Sequence, residues 1–138
     1  VALRLTPYIT LNGTTKEAIK FYQDAIGAKI ITSQTFGEMP ADPSFPLPEE
    51  AKDRIAHALL KVGDTDLMFS DTFPGQPHQI GSNVSIAIVV ESKEESKKIF
   101  EKLSQGGQVQ MPLQKTFWSE SYGALSDKYD IHWQITTE

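Results

Sequence analysis

One order of signals, strand–helix–strand–strand–strand, runs through this chain twice, and a chain patterned that way must build two similar units. The first pass opens with Leu5 to Leu11, extended and apolar, with Pro7 tolerable near the strand start. Asn12-Gly13-Thr14-Thr15 makes a turn, and Thr14 or Thr15 is placed to cap the helix that follows. Ala18, Phe21, Tyr22, Ala25 and Ile26 form one apolar stripe at helical period, and Gly27 ends it as a residue suited to a left-handed C-cap. Ala28 to Phe36 reads as the next strand. Ile55 to Val62 and Asp66 to Ser70 follow as a hairpin joined through Gly63-Asp64-Thr65.

The second pass starts at Val84 to Val90, a β-rich strand. Ser92 and Glu95 then make a capping-box arrangement, Ile99, Phe100 and Leu103 supply the apolar stripe, and Gly106-Gly107 closes the helix. Val109 to Leu113, Trp118 to Ser126 and Ile131 to Thr136 read as the last three strands. Overlaid, Phe21-Tyr22 falls on Ile99-Phe100, and Leu67 and Phe69 fall on Ile131 and Trp133. The residues differ, so what repeats is the pattern. The expectation is one α+β domain of paired βαβββ modules, residues 1–72 and 82–138, forming a cupped mixed sheet.

The offset between the halves changes because only the first holds a long proline-rich stretch. Residues 37–53 carry Pro40, Pro43, Pro46 and Pro48, which exclude regular helix or central strand. Loops of that length commonly serve as lids or interface arms, the plainer alternative being a simple excursion. Asp71 to Asn83 is a second loop, punctuated by Pro74, Gly75, Pro77 and Gly81.

Composition narrows the partners. The 138 residues are 39% hydrophobic and 22% charged, ordinary for a globular chain. A net charge of −5 repels phosphate backbones, so nucleic acid is not expected as a partner. No apolar run is long enough to span a membrane, and the first residues lack the apolar core of a signal peptide. Cysteine is absent, which removes disulfides, thiolate metal sites and thiol nucleophiles, and fits a cytoplasmic setting.

Several blocks carry a family resemblance. Phe21-Tyr22 with Ala25-Ile26-Gly27 resembles a segment of the vicinal oxygen chelate superfamily, which includes glyoxalases, bleomycin resistance proteins and extradiol dioxygenases. Three blocks resemble its PhnB-like branch. The first is Pro7-Tyr8-Ile9 leading to Phe21-Tyr22, and the second His57-Ala58 with Leu60 through Gly63 to Met68, Ser70 and Asp71. The third runs from Met111-Pro112-Leu113 through Phe117-Trp118 to Tyr122-Gly123, Asp127 and Trp133. The resemblance spans nearly the whole chain and implies paired modules whose site is completed in a homodimer. That branch has often carried the label of a 3-demethylubiquinone-9 3-methyltransferase. The residues give it no support, since no Gly-rich strand-to-helix turn with a following ribose-binding acid is present.

Enzymes of the superfamily hold a divalent metal through His, Glu or Gln on the first strand of each module and on the final strand. The matching positions here are Tyr8, Ser85 and Gln134, of which only Gln134 is a plausible neutral ligand. Tyr8 would have to lose a proton whose usual pKa is about 10. No cofactor is therefore expected, a divalent metal at an altered site being the weaker alternative. Tyr8, Ser85 and Gln134 can instead line a pocket and hydrogen-bond a ligand, or simply satisfy polar groups in a wet cavity.

His57 begins a strand and is either a base or donor for a ligand, or a plain strand-edge histidine. His78 is expected to face solvent, and His132 shares a sheet face with Gln134. Trp118 and Tyr122 suit an apolar ligand wall or a dimer contact, whereas Trp133 reads as core. Asp71 at its loop mouth either orients a ligand or caps a turn. No nucleophile elbow surrounds Ser119, Ser121 or Ser126, and no catalytic residue is identified. The ligand-binding set expected is thus Tyr8, His57, Asp71, Ser85, Trp118, Tyr122 and Gln134. The leading reading is a protein that binds an unidentified small molecule. Two others stay open: a metal-dependent lyase, isomerase or dioxygenase with altered ligands, and a structural or partner-binding dimer.

Overall fold

A computed structural model describes residues 3–40, 43–44 and 46–138, so Ala41, Asp42 and Phe45 of the expected proline-rich loop lie outside the described residues. The strands are β1 (Tyr8–Leu11), β2 (Lys29–Thr35), β3 (Ile55–Val62), β4 (Thr65–Asp71), β5 (Ile86–Val90), β6 (Gln108–Gln114), β7 (Tyr122–Ser126) and β8 (His132–Thr137). The helices are α1 (Thr15–Ile26) and α2 (Lys93–Ser104). The strands form two four-stranded mixed sheets of identical topology, ordered β1-β4-β3-β2 and β5-β8-β7-β6. In each, the strand before the helix pairs in parallel with the last strand, and the other pairs are antiparallel. This is the expected α+β arrangement of two βαβββ modules. The chain divides into two compact units at Gln79/Ile80, with the short segment Asp24–Ile26 grouped with the second.

In the first unit, strand alternation decides the core. Ile9 and Leu11 of β1 and Leu67 and Phe69 of β4 are buried, while Tyr8 and Thr10 between them are exposed. The Tyr22 ring of α1 stacks on Phe69 with centroids 5.5 Å apart and planes 26° apart, and both side chains are fully buried. Removing a ring of that size from water contributes about 1.5–3 kcal/mol. Gly27 ends α1 in the left-handed region, φ 68°, with its N–H donating to the Tyr22 carbonyl.

The start of α1 differs from expectation. Thr14 is the N-cap, but its side chain makes no capping hydrogen bond. Asp71, at the end of β4, does that work from far along the chain. Its Oδ1 accepts from Gly13 N at 2.9 Å, Thr15 N at 3.1 Å and Thr15 Oγ1 at 2.7 Å, and its Oδ2 accepts from Ile55 N at 2.9 Å. A carboxylate also complements the positive end of the helix dipole. One side chain thereby ties together the β1–α1 turn, β3 and β4.

Other boundaries shift for local reasons. β1 begins at Tyr8 and not Leu5, and the carbonyl of Pro7, which has no N–H to give, accepts from Met68 N at 3.0 Å. β7 begins at Tyr122 and not Trp118, because the preceding residues are held as a loop. Thr116 N donates to the Ser119 carbonyl at 2.9 Å, and Ser119 Oγ donates to the Thr137 carbonyl at 2.8 Å. The proline-rich stretch contains two short 3₁₀ turns, Phe36–Glu38 and Glu49–Ala51. Its ends are tied where Phe36 N donates to the Arg54 carbonyl and Gly37 N to that of Lys52.

In the second unit, α2 lies on β5–β8 with Phe100 and Leu103 buried, and Leu125, Trp133 and Ile135 are buried in the strands. Here the cap is local: Ser92 Oγ accepts from Glu95 N at 3.2 Å. The helix approaches β7 so closely that a Cβ on Gly123 would stand 2.7 Å from Phe100 Cε2 and 3.0 Å from Leu113 Cδ2. Asp127 organises the β7–β8 turn, its Oδ1 accepting from Tyr129 N and Ile131 N and its Oδ2 from Trp133 Nε1 at 2.8 Å. Trp133 is 2% exposed, the core position its alternation suggests. No helix among the described residues is long and apolar enough to cross a membrane.

Candidate functional site

With one face of each sheet committed to the core, the residues that alternate with the core positions form the other face. In the second unit a single row crosses the sheet in register: Ala87, Gln134, Ala124 and Met111. Gln134 is the hub of this face. Tyr122 Oη donates to Gln134 Oε1 at 3.0 Å, and Gln134 Nε2 donates to Ser85 Oγ at 2.8 Å. Tyr122 in turn meets the Trp118 ring edge-on, with centroids 5.2 Å apart and planes at 68°. Phe117 packs edge-on against Trp118 at 4.7 Å. Trp118 is 55% exposed and Phe117 is 97% exposed, an unusual cost for two large rings. The structure therefore brings four expected residues into one cluster: Ser85, Trp118, Tyr122 and Gln134.

In the first unit Tyr8 and His57 are neighbours. Tyr8 Oη hydrogen-bonds His57 Nδ1 at 3.3 Å, and the two rings lie 5.8 Å apart. Thr10, Met68 and Ser70 alternate with the buried residues of β1 and β4 and so share the face with Tyr8. Asp71 is placed elsewhere. It is 4% exposed on the core side, and both of its oxygens accept hydrogen bonds from the fold, so its carboxylate anchors the structure.

Of the other two histidines, one departs from expectation. His78 is half-buried, and its Nε2–H donates to the Thr10 carbonyl at 2.9 Å, which fastens the Asp71–Asn83 loop to β1. His132 does share a face with Gln134, but its ring is engaged at both nitrogens. Nε2–H donates to the Gly81 carbonyl at 3.1 Å, and Nδ1 meets Ser126 Oγ at 2.9 Å. Gln110 Nε2 donates to the same Ser126 oxygen at 2.8 Å. These groups border a cavity of about 520 Å³ that Lys128 and Asp130 also line. Sequence reasoning missed this chain because its members come from β6, β7, β8 and a loop, and only strand register brings them together. Among the described residues, no three His, Asp or Glu side chains gather around a point where one ion could sit.

The sequence model of the Glyoxalase/Bleomycin resistance protein/Dioxygenase superfamily matches residues 7–135 of this chain. Protein YjdN of Escherichia coli (strain K12) is 32% identical over 140 residues, covering 95% of this chain and 92% of the relative. The crystal structure of protein PA1353 from Pseudomonas aeruginosa is similar at a TM-score of 0.88 with 36% identity, covering 99% of this chain and 98% of that one. A PhnB protein from Bacillus cereus, which bears the 3-demethylubiquinone-9 3-methyltransferase label, is similar at a TM-score of 0.80 with 25% identity. That match covers 99% of this chain and all of the other.

Proposed function

Since this chain belongs to the Glyoxalase/Bleomycin resistance protein/Dioxygenase superfamily, we propose that it binds a small molecule, in a site completed by a second copy of the chain and without a resident divalent metal. The observation that carries the reading is the Ser85–Gln134–Tyr122 relay beside the exposed Trp118 ring. An oriented amide, two hydroxyls and an aromatic wall are the elements of a small-molecule site, where a few fixed polar groups sit on an apolar surface. On the first sheet, taken by itself, Tyr8 and His57 place a phenol beside an imidazole.

What supports the metal-free reading is the donor set, which does not fit a divalent ion. Gln134 Oε1, the one good neutral ligand atom, already accepts the Tyr122 proton, and Ser85 Oγ is held by the Gln134 amide. Tyr8 would coordinate only after losing its phenolic proton. A fluorescence screen tests the binding reading. In a Trp133→Phe background Trp118 is the only tryptophan, so a bound ring system quenches a single reporter. Quenching by at least one compound, lost on Tyr122→Ala with the fold intact, is expected. A broad panel that neither quenches Trp118 nor shifts the melting temperature sinks it and leaves the structural-dimer reading.

A further inference from the structure

None of the residues in β5, β6, β7 and β8 is Asp, Glu, Lys or Arg, in a chain where those four make up 22% of the sequence. The helix covering one side of the sheet is densely charged, with Lys93, Glu94, Glu95, Lys97, Lys98, Glu101 and Lys102 within one element. Charge in this unit is thus kept to the helix and the loops. His132 is the one histidine of these strands, and both its nitrogens are engaged. A sheet face turned to water normally carries charge, and edge strands are guarded by it. The face with Ala87, Val89, Met111, Tyr122, Ala124 and Gln134 is not dressed for water, although Ala87, Val89 and Met111 are exposed.

The relay leaves its polarity legible at both ends. Tyr122 donates its proton to Gln134, so the Tyr122 oxygen keeps its lone pairs to accept a further hydrogen bond. Ser85 accepts from Gln134, so its hydroxyl proton is free to donate. Between them the small side chains Ala87 and Ala124 flank Gln134 and leave a low floor, and the Tyr122 and Trp118 rings rise beside it.

From this we propose that the open face of the second sheet takes a flat, uncharged ligand: an aromatic or conjugated ring bearing a neutral donor and a neutral acceptor, such as an amide or a phenol. The proposal rests on the small-molecule reading above and specifies its ligand class. Carboxylates and phosphates are disfavoured around Gln134, where the strands offer no Lys or Arg; Lys128, in the cavity beside His132, belongs to the loop after β7. An anion brought onto this face gives up water and finds no cation in the strands to replace it. A flat ring lies on the alanine floor and meets the aromatic wall edge-on, as rings prefer. The ligand's acceptor takes the Ser85 proton and its donor goes to the Tyr122 oxygen.

The experiment follows the Trp118 indole N–H resonance of the full chain by NMR. The probes are 2-naphthamide, its anionic counterpart 2-naphthoate, and cyclohexanecarboxamide, which keeps the amide and loses the flat ring. The amide of naphthalene should move the Trp118 resonance and bind at least about tenfold more tightly than either comparison. Gln134→Leu should weaken it about tenfold, and Tyr122→Phe supplies the same test if that variant does not fold. Naphthoate binding as well as or better than the amide overturns the ligand class while leaving small-molecule binding intact. So does a Trp118 resonance that responds only to protein concentration, which assigns the face to a second copy of the chain. A Trp118 resonance unmoved by any probe also overturns the proposal. If the broad panel fails as well, the binding reading falls with it.

Discussion

The two modules share one topology but secure it with different residues. In the first, the N-terminus of α1 is held by Asp71, more than fifty positions away in sequence, and the Thr14 side chain stands idle. In the second, Ser92 caps α2 from the adjacent position, and the carboxylate of Asp127 is spent on the β7–β8 turn and on Trp133 instead. The first module thus couples its helix directly to its last strand, whereas the second relies on a local cap and on the close Phe100–Gly123 approach. Two sequences can therefore satisfy the same backbone by moving one carboxylate. The open faces differ in the same spirit, with Tyr8 and His57 on the first and an uncharged relay centred on Gln134 on the second.

Substitutions can break this contrast, and the largest effect belongs to Asp71. Asp71→Ala leaves the N–H groups of Gly13, Thr15 and Ile55 without their acceptor, and a loss of about 3–5 kcal/mol is expected in denaturant unfolding. A loss below about 1 kcal/mol would mean that water or Thr14 replaces the carboxylate freely. Gly123→Ala should cost about 1–3 kcal/mol, because Phe100 and Leu113 must both yield to a Cβ. A neutral result would show that the second helix rides loosely on its sheet.

The caps give a sharper pair. Ser92→Ala should cost about 1 kcal/mol, while Thr14→Ala should stay below about 0.5 kcal/mol because its side chain caps nothing. Equal costs would erase the distinction between a remote cap and a local one.

The smallest effect concerns pH. The Lys61 ammonium, with Arg4, holds the Asp66 carboxyl below its usual range. A depressed carboxyl contributes stability above its unfolded pKa and loses it as pH falls through the folded one. Asp66→Asn should therefore flatten the acid side of the stability profile and leave the region above about pH 5 parallel to the parent. An unchanged acid limb would show that the pair is wholly screened by water.

What the sequence revealed followed the range of the interaction. The stripe from Ala18 to Ile26, the stop at Gly27 and the strand Ile55–Val62 are local patterns, and each matches the structure closely. Trp118 read as strand because it is β-prone, but Ser119 bonding to Thr137 bends that segment into a loop. Asp71 was ambiguous in sequence because its partners lie on three other segments. Gln134 was visible as a candidate, but its partners Tyr122 and Ser85 depend on strand register and loop placement. The uncharged strands of the second module were hidden in the sequence, because the strand expected from Trp118 to Ser126 includes Glu120, which the structure places in the loop before β7. Their meaning needed to be read with the sheet assembled, when one face proved to be left open.

A Gln134 engaged in a ligand relay and a Gln134 bound to a metal differ in the metal content of protein purified without chelator, and in its melting temperatures on addition of Ni²⁺, Mn²⁺, Zn²⁺ and Fe²⁺. With Gln134 in the relay, far less than one metal per chain is expected and no specific stabilisation by any of the four. One tightly bound metal per chain, lost on Gln134→Leu or His57→Ala, would contradict the relay.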